Sequence, residues 1–237
     1  MKVVFCDVGG TLWPNRWPSQ PGDREGRISR LRDALPWVSP DQAARLIADL
    51  SMVEHPSSEE QRTTAVVIDA LRRSGLAGRV PPRSVINAMC IPARGRVDPF
   101  PGVAELLGGL ADAGVGVVVT SNVMWRDGEA QRRDFEDFGL ATWISAYVTS
   151  LDVGWRKPHP RFFDTALTIG RHAPYDCVMV GDSERNDIEP ARARGMLAVR
   201  VAIEEPTPPT TRANHVCSSL REVADLLLTL TRDPDGE

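Results

Sequence analysis

Near its amino terminus the chain reads Phe5-Cys6-Asp7-Val8-Gly9-Gly10-Thr11-Leu12. The apolar run that begins at Val3 predicts a short buried strand, and this strand ends at one carboxylate, Asp7. Two glycines follow, so the backbone can turn sharply beside a ligand without side-chain bulk. Because open α/β sheets bind ligands at the carboxyl ends of their strands, Asp7 is placed to act as a nucleophile or a metal ligand. Alone, the octet would favour an ordinary strand followed by a turn.

Three later segments change that interpretation. Residues 115–119 form a second apolar run, which ends in Thr120-Ser121-Asn122. Residues 155–160 carry a single lysine, Lys157, just before a predicted helix. Residues 178–180 form a further apolar run, followed by Gly181-Asp182-Ser183-Glu184-Arg185-Asn186-Asp187. Each segment therefore supplies polar groups at a predicted strand end or helix start, as the first one does.

In this order the four segments resemble the motifs of the haloacid dehalogenase superfamily of hydrolases. Those motifs read D-x-D-x-T, then S or T, then K, then G-D-x-x-x-D, and they lie on successive strand ends. The resemblance covers the chain except for the segment between the first two motifs. One position departs from it, because Gly9 stands where most phosphatases of the superfamily carry a second Asp. In those relatives that Asp protonates the leaving group and then activates water.

The resemblance implies a catalytic role for several residues. Asp7 would attack phosphorus and form an aspartyl-phosphate, and the hydroxyl of Thr11 would orient the Asp7 loop. Thr120 and Ser121 both fit the second motif, and we choose Ser121 because Asn122 follows it, as in many relatives. The candidate substrate-binding residues are then Ser121, Asn122, Lys157 and Gly10.

The resemblance also implies a magnesium site. Mg²⁺ would be held by Asp7, the backbone carbonyl of Gly9 and Asp182, with Asp187 beside them. Oxygen ligands alone suit this hard cation. Without the other motifs, Asp182 and Asp187 would fit helix capping after a strand.

The remaining sequence predicts an α/β fold with an insert. Strands that alternate with helices indicate a three-layer Rossmann-like core with a parallel sheet of at least five strands. We assign residues 1–13 and 100–237 to this core. Residues 27–90 are apolar with a helical period, so residues 14–99 are predicted to form an all-helical domain that begins with an irregular linker. Its position matches the first type of cap in the superfamily, a helical lid over the active site.

Composition narrows the partners and the location. The formal net charge of −4 leaves no basic surface for nucleic acid. No apolar run approaches the length of a membrane span, and the four cysteines are scattered without metal-site spacing. We expect a cytoplasmic protein, a monomer or homodimer, that binds a small phosphorylated molecule.

Aromatic and basic residues near the motifs have two interpretations. Trp13, Trp17, Trp125 and Trp155 could line an aromatic substrate wall or simply pack the loops. Arginines near the same loops are candidate anion contacts. They are Arg16, Arg24 and Arg126.

The favoured function is a Mg²⁺-dependent phosphatase with an altered acid/base group. General acid/base catalysis contributes about 10²–10⁴-fold, so loss of the second Asp should slow the enzyme rather than abolish it. A good leaving group, such as that of an acyl phosphate or an anhydride, would need the acid least. A carboxylate of the cap, Asp23 or Glu25, could replace the missing acid if closure of the cap brings it into the site. One alternative is a metal-independent 2-haloacid dehalogenase, although those enzymes usually lose the first acid of the fourth motif, which this chain keeps. The other is a non-catalytic relative that binds a phosphorylated ligand or a protein.

Overall fold

The computed structural model describes residues 1–15, 17, 20–53, 59–204 and 210–232. Its strands, in chain order, are β1 (Val3–Cys6), β2 (Gly116–Ser121), β3 (Ala146–Thr149), β4 (Cys177–Gly181), β5 (Leu197–Val201) and β6 (His215–Cys217). They form one sheet in the order β3-β2-β1-β4-β5-β6, and every pair of neighbours is parallel. The predicted parallel sheet is confirmed. β6 was not predicted, because three residues at a sheet edge carry no apolar run.

β1 lies at the centre of the sheet, and all four of its residues are buried. Cys6 pairs with Val119 of β2 and with Val180 of β4, so these three strands end at nearly the same level. The pairing continues one step further, where the backbone N–H of Asp7 donates to the carbonyl of Val180 at 2.9 Å. The polar residues that follow the three strands therefore share one edge.

Helices cover both faces of the sheet. After the insert they are α5 (Val103–Asp112), α6 (Gly128–Asp137), α7 (Ser150–Val153), α8 (Pro160–Gly170), α9 (Glu189–Arg192) and α10 (Leu220–Arg232). Residues of α5, α6 and α10 pack with Val4 and Cys6 on one face, whereas α8 and α9 pack with Val3 and Phe5 on the other. Alternate residues of β1 thus face opposite layers, as strand geometry requires. The result is the expected three-layer α/β core.

The segment between β1 and α5 contains four helices within the described residues: α1 (Asp23–Ala34), α2 (Pro40–Ser51), α3 (Thr63–Arg73) and α4 (Pro82–Met89). They share a buried apolar cluster of their own, which includes Leu31, Ile47 and Leu71. At the start of α2, Ser39 and Gln42 form a reciprocal capping box before Pro40. That residues 14–99 act as a cap domain remains a proposal.

One local prediction was wrong. α1 begins at Asp23, inside the segment expected to be an irregular linker, because its first turns are polar and Leu31 is its buried residue. In addition, α9 is preceded by a π-helical turn, Glu184–Ile188, which was not predicted. Such turns have no period that a sequence pattern could reveal.

Trp13 belongs to the core rather than to a linker. It is 2% exposed, and its ring centroid lies 4.9 Å from that of Phe135 and 5.6 Å from that of Phe138. None of the described helices is long and apolar enough to cross a membrane.

The packing of β1 against α8 yields a stability prediction. Replacing a helical glycine by alanine normally stabilises a protein by about 1 kcal/mol. A Cβ at Gly170, however, would lie 2.8 Å from Cζ of the buried Phe5 ring. We expect Gly170→Ala to lower the free energy of unfolding in urea by about 1–3 kcal/mol, the usual effect of overpacking.

The matched control is Gly108→Ala in α5, where the nearest atom would be Cζ2 of Trp143 at 3.5 Å. This variant should keep or raise the free energy of unfolding. Equal stability of the two variants would contradict the packing of Phe5 against α8.

Candidate active site

The predicted site residues from four distant segments meet at the carboxyl edge of the sheet. The ammonium Nζ of Lys157 lies 2.6 Å from Oδ1 of Asp7 and 2.6 Å from Oδ1 of Asp187. It also donates to the carbonyl of Thr120 at 3.1 Å. One carboxylate oxygen from each of Asp7, Asp182 and Asp187 lies within 4.8 Å of the others. Lys157 and Asp7 are 150 residues apart in the chain, so only the fold brings them together.

The backbone of Lys157 is held by the side chain of Asn122. The Lys157 N–H donates to Oδ1 of Asn122 at 2.8 Å, and Nδ2 of Asn122 donates to the Lys157 carbonyl at 2.9 Å. Both ends of the amide are therefore used to position the lysine. Direct contact between Asn122 and a substrate stays a prediction.

The electrostatics of the site favour a charged lysine. Burial alone would lower the pKa of Lys157, but the carboxylates of Asp187 and Asp7 outweigh it and raise that pKa above its usual value. The ammonium group thus remains protonated at neutral pH. Because it is 3% exposed, its charge is compensated by protein groups rather than by water.

The negative charge of the carboxylates is only partly compensated, since three of them share one ammonium group. Burial raises the pKa of Asp182 to about 7, and the negative charges of Asp7 and Asp187 add to the shift. Burial also raises the pKa of Asp187 to about 6, although Lys157 opposes the change. This clustered oxygen donor set fits a hard divalent cation. Both oxygens of Asp187 already accept hydrogen bonds, from Lys157 and from the Ser183 N–H at 3.2 Å.

The loop after β1 is shaped by its two glycines and Thr11. Gly10 has φ +76°, and a Cβ there would collide with the carboxylate of Asp182. The buried hydroxyl of Thr11 donates to Oδ2 of Asp7 at 3.4 Å, as expected of a residue that orients this loop. Gly10 therefore allows two acidic segments to approach closely, and its contact with substrate stays a prediction.

Gly9 faces a residue that the sequence did not single out. A Cβ at Gly9 would lie 2.7 Å from Oδ1 of Asn15. The backbone N–H of Asn15 in turn donates to Oε2 of Glu204 at 3.1 Å. The amide of Asn15 thus lies where a side chain at position 9 would begin. No sequence signal could have found it, because it is a lone polar residue in a loop.

The two candidates for the second motif differ in their surroundings. Ser121 lines the cavity beside Asp7, whereas the hydroxyl of Thr120 is buried and has no hydrogen-bond partner in the described part of the chain. This difference favours Ser121 as the phosphate contact.

A cavity of about 810 Å³ extends from these residues to the insert. The sheet edge contributes Asp7, Gly9, Ser121, Lys157 and Asp182 to its wall. The insert contributes Asp23, Arg27, Met89, Cys90 and Arg96. The volume exceeds that of a phosphate group, so the cavity has room for the rest of a small molecule.

Neither predicted substitute for the missing acid suits that role in this structure. Asp23 forms a two-pronged ion pair with Arg96, and the hydrogen bonds from Arg96 lower the pKa of Asp23. Its carboxylate is thus held in the ionised form. Glu25 is exposed and does not belong to the cavity wall.

Three of the four tryptophans line the cavity. They are Trp13, which is also packed in the core, Trp17 and Trp125, whereas Trp155 lies outside the cavity and stacks on His159 with centroids 3.9 Å apart. Arg126 lines the cavity and lies 4.5 Å from the centre of the Trp17 ring. It is also paired with Asp134, which compensates its charge.

The two other candidate anion contacts are Arg24 and Arg16. Arg24 is exposed and does not belong to its wall. Arg16 lies outside the described residues.

Comparisons with known proteins agree with this geometry. Residues 84–201 match the family model described as haloacid dehalogenase-like hydrolase. A curated relative, the phosphoserine phosphatase of Thermus thermophilus, is 40% identical over 73 residues, which are 31% of this chain and 29% of that protein. The match to it therefore concerns less than a third of either chain.

Two solved structures resemble nearly the whole chain. A 2-haloacid dehalogenase from Pseudomonas syringae superposes with a TM-score of 0.64 and 23% identity, covering 97% of this chain and 99% of that one. A phosphatase from Thermococcus onnurineus superposes with a TM-score of 0.59 and 21% identity, covering 96% and 98%. At these identities the two structures speak for the fold alone. With the family match and the four motifs joined at one sheet edge, the chain belongs to the haloacid dehalogenase superfamily of hydrolases.

Proposed function

We propose that the protein is a Mg²⁺-dependent phosphatase that acts on a small phosphorylated metabolite through an aspartyl-phosphate on Asp7. The observation that carries the proposal is the ammonium of Lys157 bound to Asp7 inside a cluster of three carboxylates. A cation of fixed charge beside the nucleophile suits a phosphoryl group, whose transfer needs positioning and charge neutralisation above all. The phosphatase-named relative supports the same class of reaction.

The reaction follows from the positions of the side chains. One carboxylate oxygen of Asp7 attacks phosphorus while the bond from phosphorus to the leaving group breaks. Lys157 and Ser121 hold the oxygens of the transferred group, and Thr11 keeps the Asp7 carboxylate oriented. Water then attacks phosphorus while the bond from phosphorus to the Asp7 oxygen breaks, both protons of the water leave with the phosphate, and the carboxylate of Asp7 is restored. Asp7, the Gly9 carbonyl and Asp182, with Asp187 beside them, would hold Mg²⁺, which would supply positive charge to neutralise the phosphoryl oxygens.

Proton transfer is where this chain differs from a typical phosphatase. Position 9 offers no carboxylate, and Asp23 is held by Arg96. Glu184, which also lines the cavity, accepts hydrogen bonds from Thr211 and the Arg212 N–H, both at 2.7 Å. Apart from the acidic cluster of Asp7, Asp182 and Asp187, the described cavity wall therefore holds no carboxyl group that is free to protonate a leaving group. Substrates whose leaving group departs as a stable anion, such as acyl phosphates, suit this site best.

A second candidate is a 2-haloacid dehalogenase. The observation in its favour is again the missing acid, since a halide also leaves without a proton. Against it stands the acidic cluster, which keeps both Asp182 and Asp187 and suits a metal that dehalogenases do not need. A phospho-ligand-binding relative without catalysis is the third.

The nucleophile gives the first functional test. With Mg²⁺ present, the protein should hydrolyse acetyl phosphate and p-nitrophenyl phosphate, and Asp7→Asn should abolish this turnover because an amide is a poor nucleophile. The melting temperature should change little, since the two side chains are nearly isosteric and Asp187 still compensates the charge of Lys157. Asp112→Asn, an exposed change in α5, is the matched control and should retain full activity.

Other results would favour the alternatives. Halide release from a 2-haloacid without metal would support the dehalogenase. No activity in either assay, together with a rise of the melting temperature on addition of phosphate, would support the non-catalytic phosphate-binding protein.

Gly9 provides a second test. In Gly9→Asp alone the new side chain would begin 2.7 Å from Oδ1 of Asn15, so the exposed Asn15 side chain must first rotate away, and we expect the smaller gain from this variant. The double variant Gly9→Asp with Asn15→Ala removes this collision. Its kcat/KM for an alkyl phosphate should rise, by up to about 10²–10⁴-fold, with a small gain for p-nitrophenyl phosphate, whose leaving group barely needs a proton.

The single variant Asn15→Ala is the control and should show no gain on alkyl phosphates. A stable double variant that binds Mg²⁺ yet gains nothing on any alkyl phosphate would contradict a phosphatase whose defect is the missing acid.

The acidic cluster predicts how pH and metal affect stability. In the folded protein the pKa values of Asp182 and Asp187 are raised to about 7 and about 6, above the value of about 3.9 in an unfolded chain. The folded state therefore binds more protons than the unfolded state in this window, and stability falls as pH rises from about 4 to about 7.

Mg²⁺ binds the deprotonated carboxylates, so it should raise the melting temperature more at about pH 8 than at about pH 5. Calorimetry with EDTA or with Mg²⁺ measures both effects. Asp182→Asn should flatten the pH dependence and reduce the effect of Mg²⁺. A metal-induced rise that is equal at both pH values would contradict binding at this cluster.

A further inference from the structure

Besides the two chain segments that join them, the insert contacts the core through an ion pair between Arg83 and Asp127, through apolar packing on Trp125 and Leu151, and through a short stretch of backbone pairing. Residues 59–63, which we call the clasp, run antiparallel to the segment just before Lys157. The N–H of Gln61 donates to the carbonyl of Gly154 at 3.0 Å, and the N–H of Arg156 donates to the carbonyl of Glu59 at 2.7 Å. The clasp thus pairs with the core through backbone hydrogen bonds, as a short strand would.

Side chains of the clasp reach a second loop of the core, the one that follows β2. Nε2 of Gln61 donates to the carbonyl of Val123 at 2.6 Å. The buried hydroxyl of Thr63 donates to the next carbonyl, that of Met124, at 3.0 Å. Nη1 of Arg156 donates to Oε1 of Gln61 at 3.2 Å and to the Val123 carbonyl at 3.3 Å. Gln61 therefore joins the insert, the loop after β2 and the loop before Lys157.

Both of these loops carry candidate phosphate contacts. Val123 lies two residues after Ser121 and directly follows Asn122, whose amide brackets the backbone of Lys157. Arg156 directly precedes Lys157. Gln61 is thus one hydrogen bond away from each of the two loops whose spacing determines where Ser121 and Lys157 stand.

Gln61 suits this role because its amide has both donors and an acceptor. The donor end satisfies the Val123 carbonyl, and the acceptor end satisfies the guanidinium of Arg156, which is half-buried. Alanine at this position would leave the Val123 carbonyl with Arg156 and with Ser150, whose Oγ donates to it at 3.0 Å. The loops would stay connected but would be held less firmly.

We propose that Gln61 is a positioning residue, which couples the docked insert to the spacing of the two loops that present Ser121 and Lys157 to a phosphoryl group. The inference rests on the proposed function for its ligand. The coupling of the insert to the Lys157 loop, on which the inference depends, can be measured without any enzymatic turnover.

The test compares Gln61→Ala with Gln20→Ala. The control removes a similar bond, from Nε2 of Gln20 to the carbonyl of Gly95 at 3.1 Å, in the segments that join insert and core. We expect Gln61→Ala to weaken the binding of inorganic phosphate with Mg²⁺ present, and to lower kcat/KM for p-nitrophenyl phosphate, each by about threefold to tenfold, the value of one hydrogen bond. Gln20→Ala should leave both unchanged.

Hydrogen exchange measured by mass spectrometry supplies a readout independent of function. In Gln61→Ala the amides of Val123 and Lys157 should exchange faster than in the unmodified protein, whereas in Gln20→Ala they should not. Thr63→Val, which is nearly isosteric and removes the bond to Met124, is a second variant and should also speed this exchange.

The outcomes separate the inference from the proposed function. If the protein binds and hydrolyses phosphates but Gln61→Ala behaves like Gln20→Ala in affinity and exchange, Gln61 is a structural residue and the inference is wrong. If the unmodified protein neither binds phosphate nor turns over any phosphate, the proposed function is wrong. Exchange at Lys157 then decides the coupling, and an unchanged rate in both clasp variants overturns it.

Discussion

The ammonium of Lys157 lies between the carboxylates of Asp7 and Asp187, and the rest of the site depends on this buried ion pair. Removing one partner of such a pair leaves an uncompensated charge, at a cost of about 3–5 kcal/mol. The sheet satisfies the constraint because β1 and β4 are neighbours that end at the same level. The amide of Asn122 then fixes the backbone of Lys157, so the lysine cannot leave the carboxylates.

The same constraint leaves the site negatively charged. Three carboxylates and one ammonium give two uncompensated charges when all are ionised, and burial together with this repulsion raises the pKa values of Asp182 and Asp187. Removal of one of these acids would relieve the repulsion and so favour the stability of the fold. Keeping all of them is the kind of local conflict expected where binding a cation matters more than stability. Gly10 allows the carboxylates to stay this close together, because any side chain at position 10 would push Asp182 away.

The insert supplies the part of the site that the core cannot. In the proposed function the core edge would hold a phosphoryl unit, whereas residues of the insert, among them Asp23, Arg27 and Arg96, line the space where the remainder of a substrate would lie. The clasp ties this second wall to the loops of the first. An insert attached in this way would both select the substrate and fix the spacing of the groups that we propose to bind its phosphate.

The amino-acid sequence alone predicts the sheet and the positions of the motifs. Buried parallel strands are short apolar runs, and the polar residues that follow them are easy to recognise in the sequence. That much includes Asp7, Lys157 and Asp182 at one edge. Tertiary structure alone decided which neighbours each group has: the Asn15 amide beside Gly9, the Arg96 partner that holds Asp23 ionised, and Gln61 on the Val123 carbonyl. Gln61 and Val123 are 62 residues apart, and a contact between loops follows no period along the chain, so only folding could reveal it.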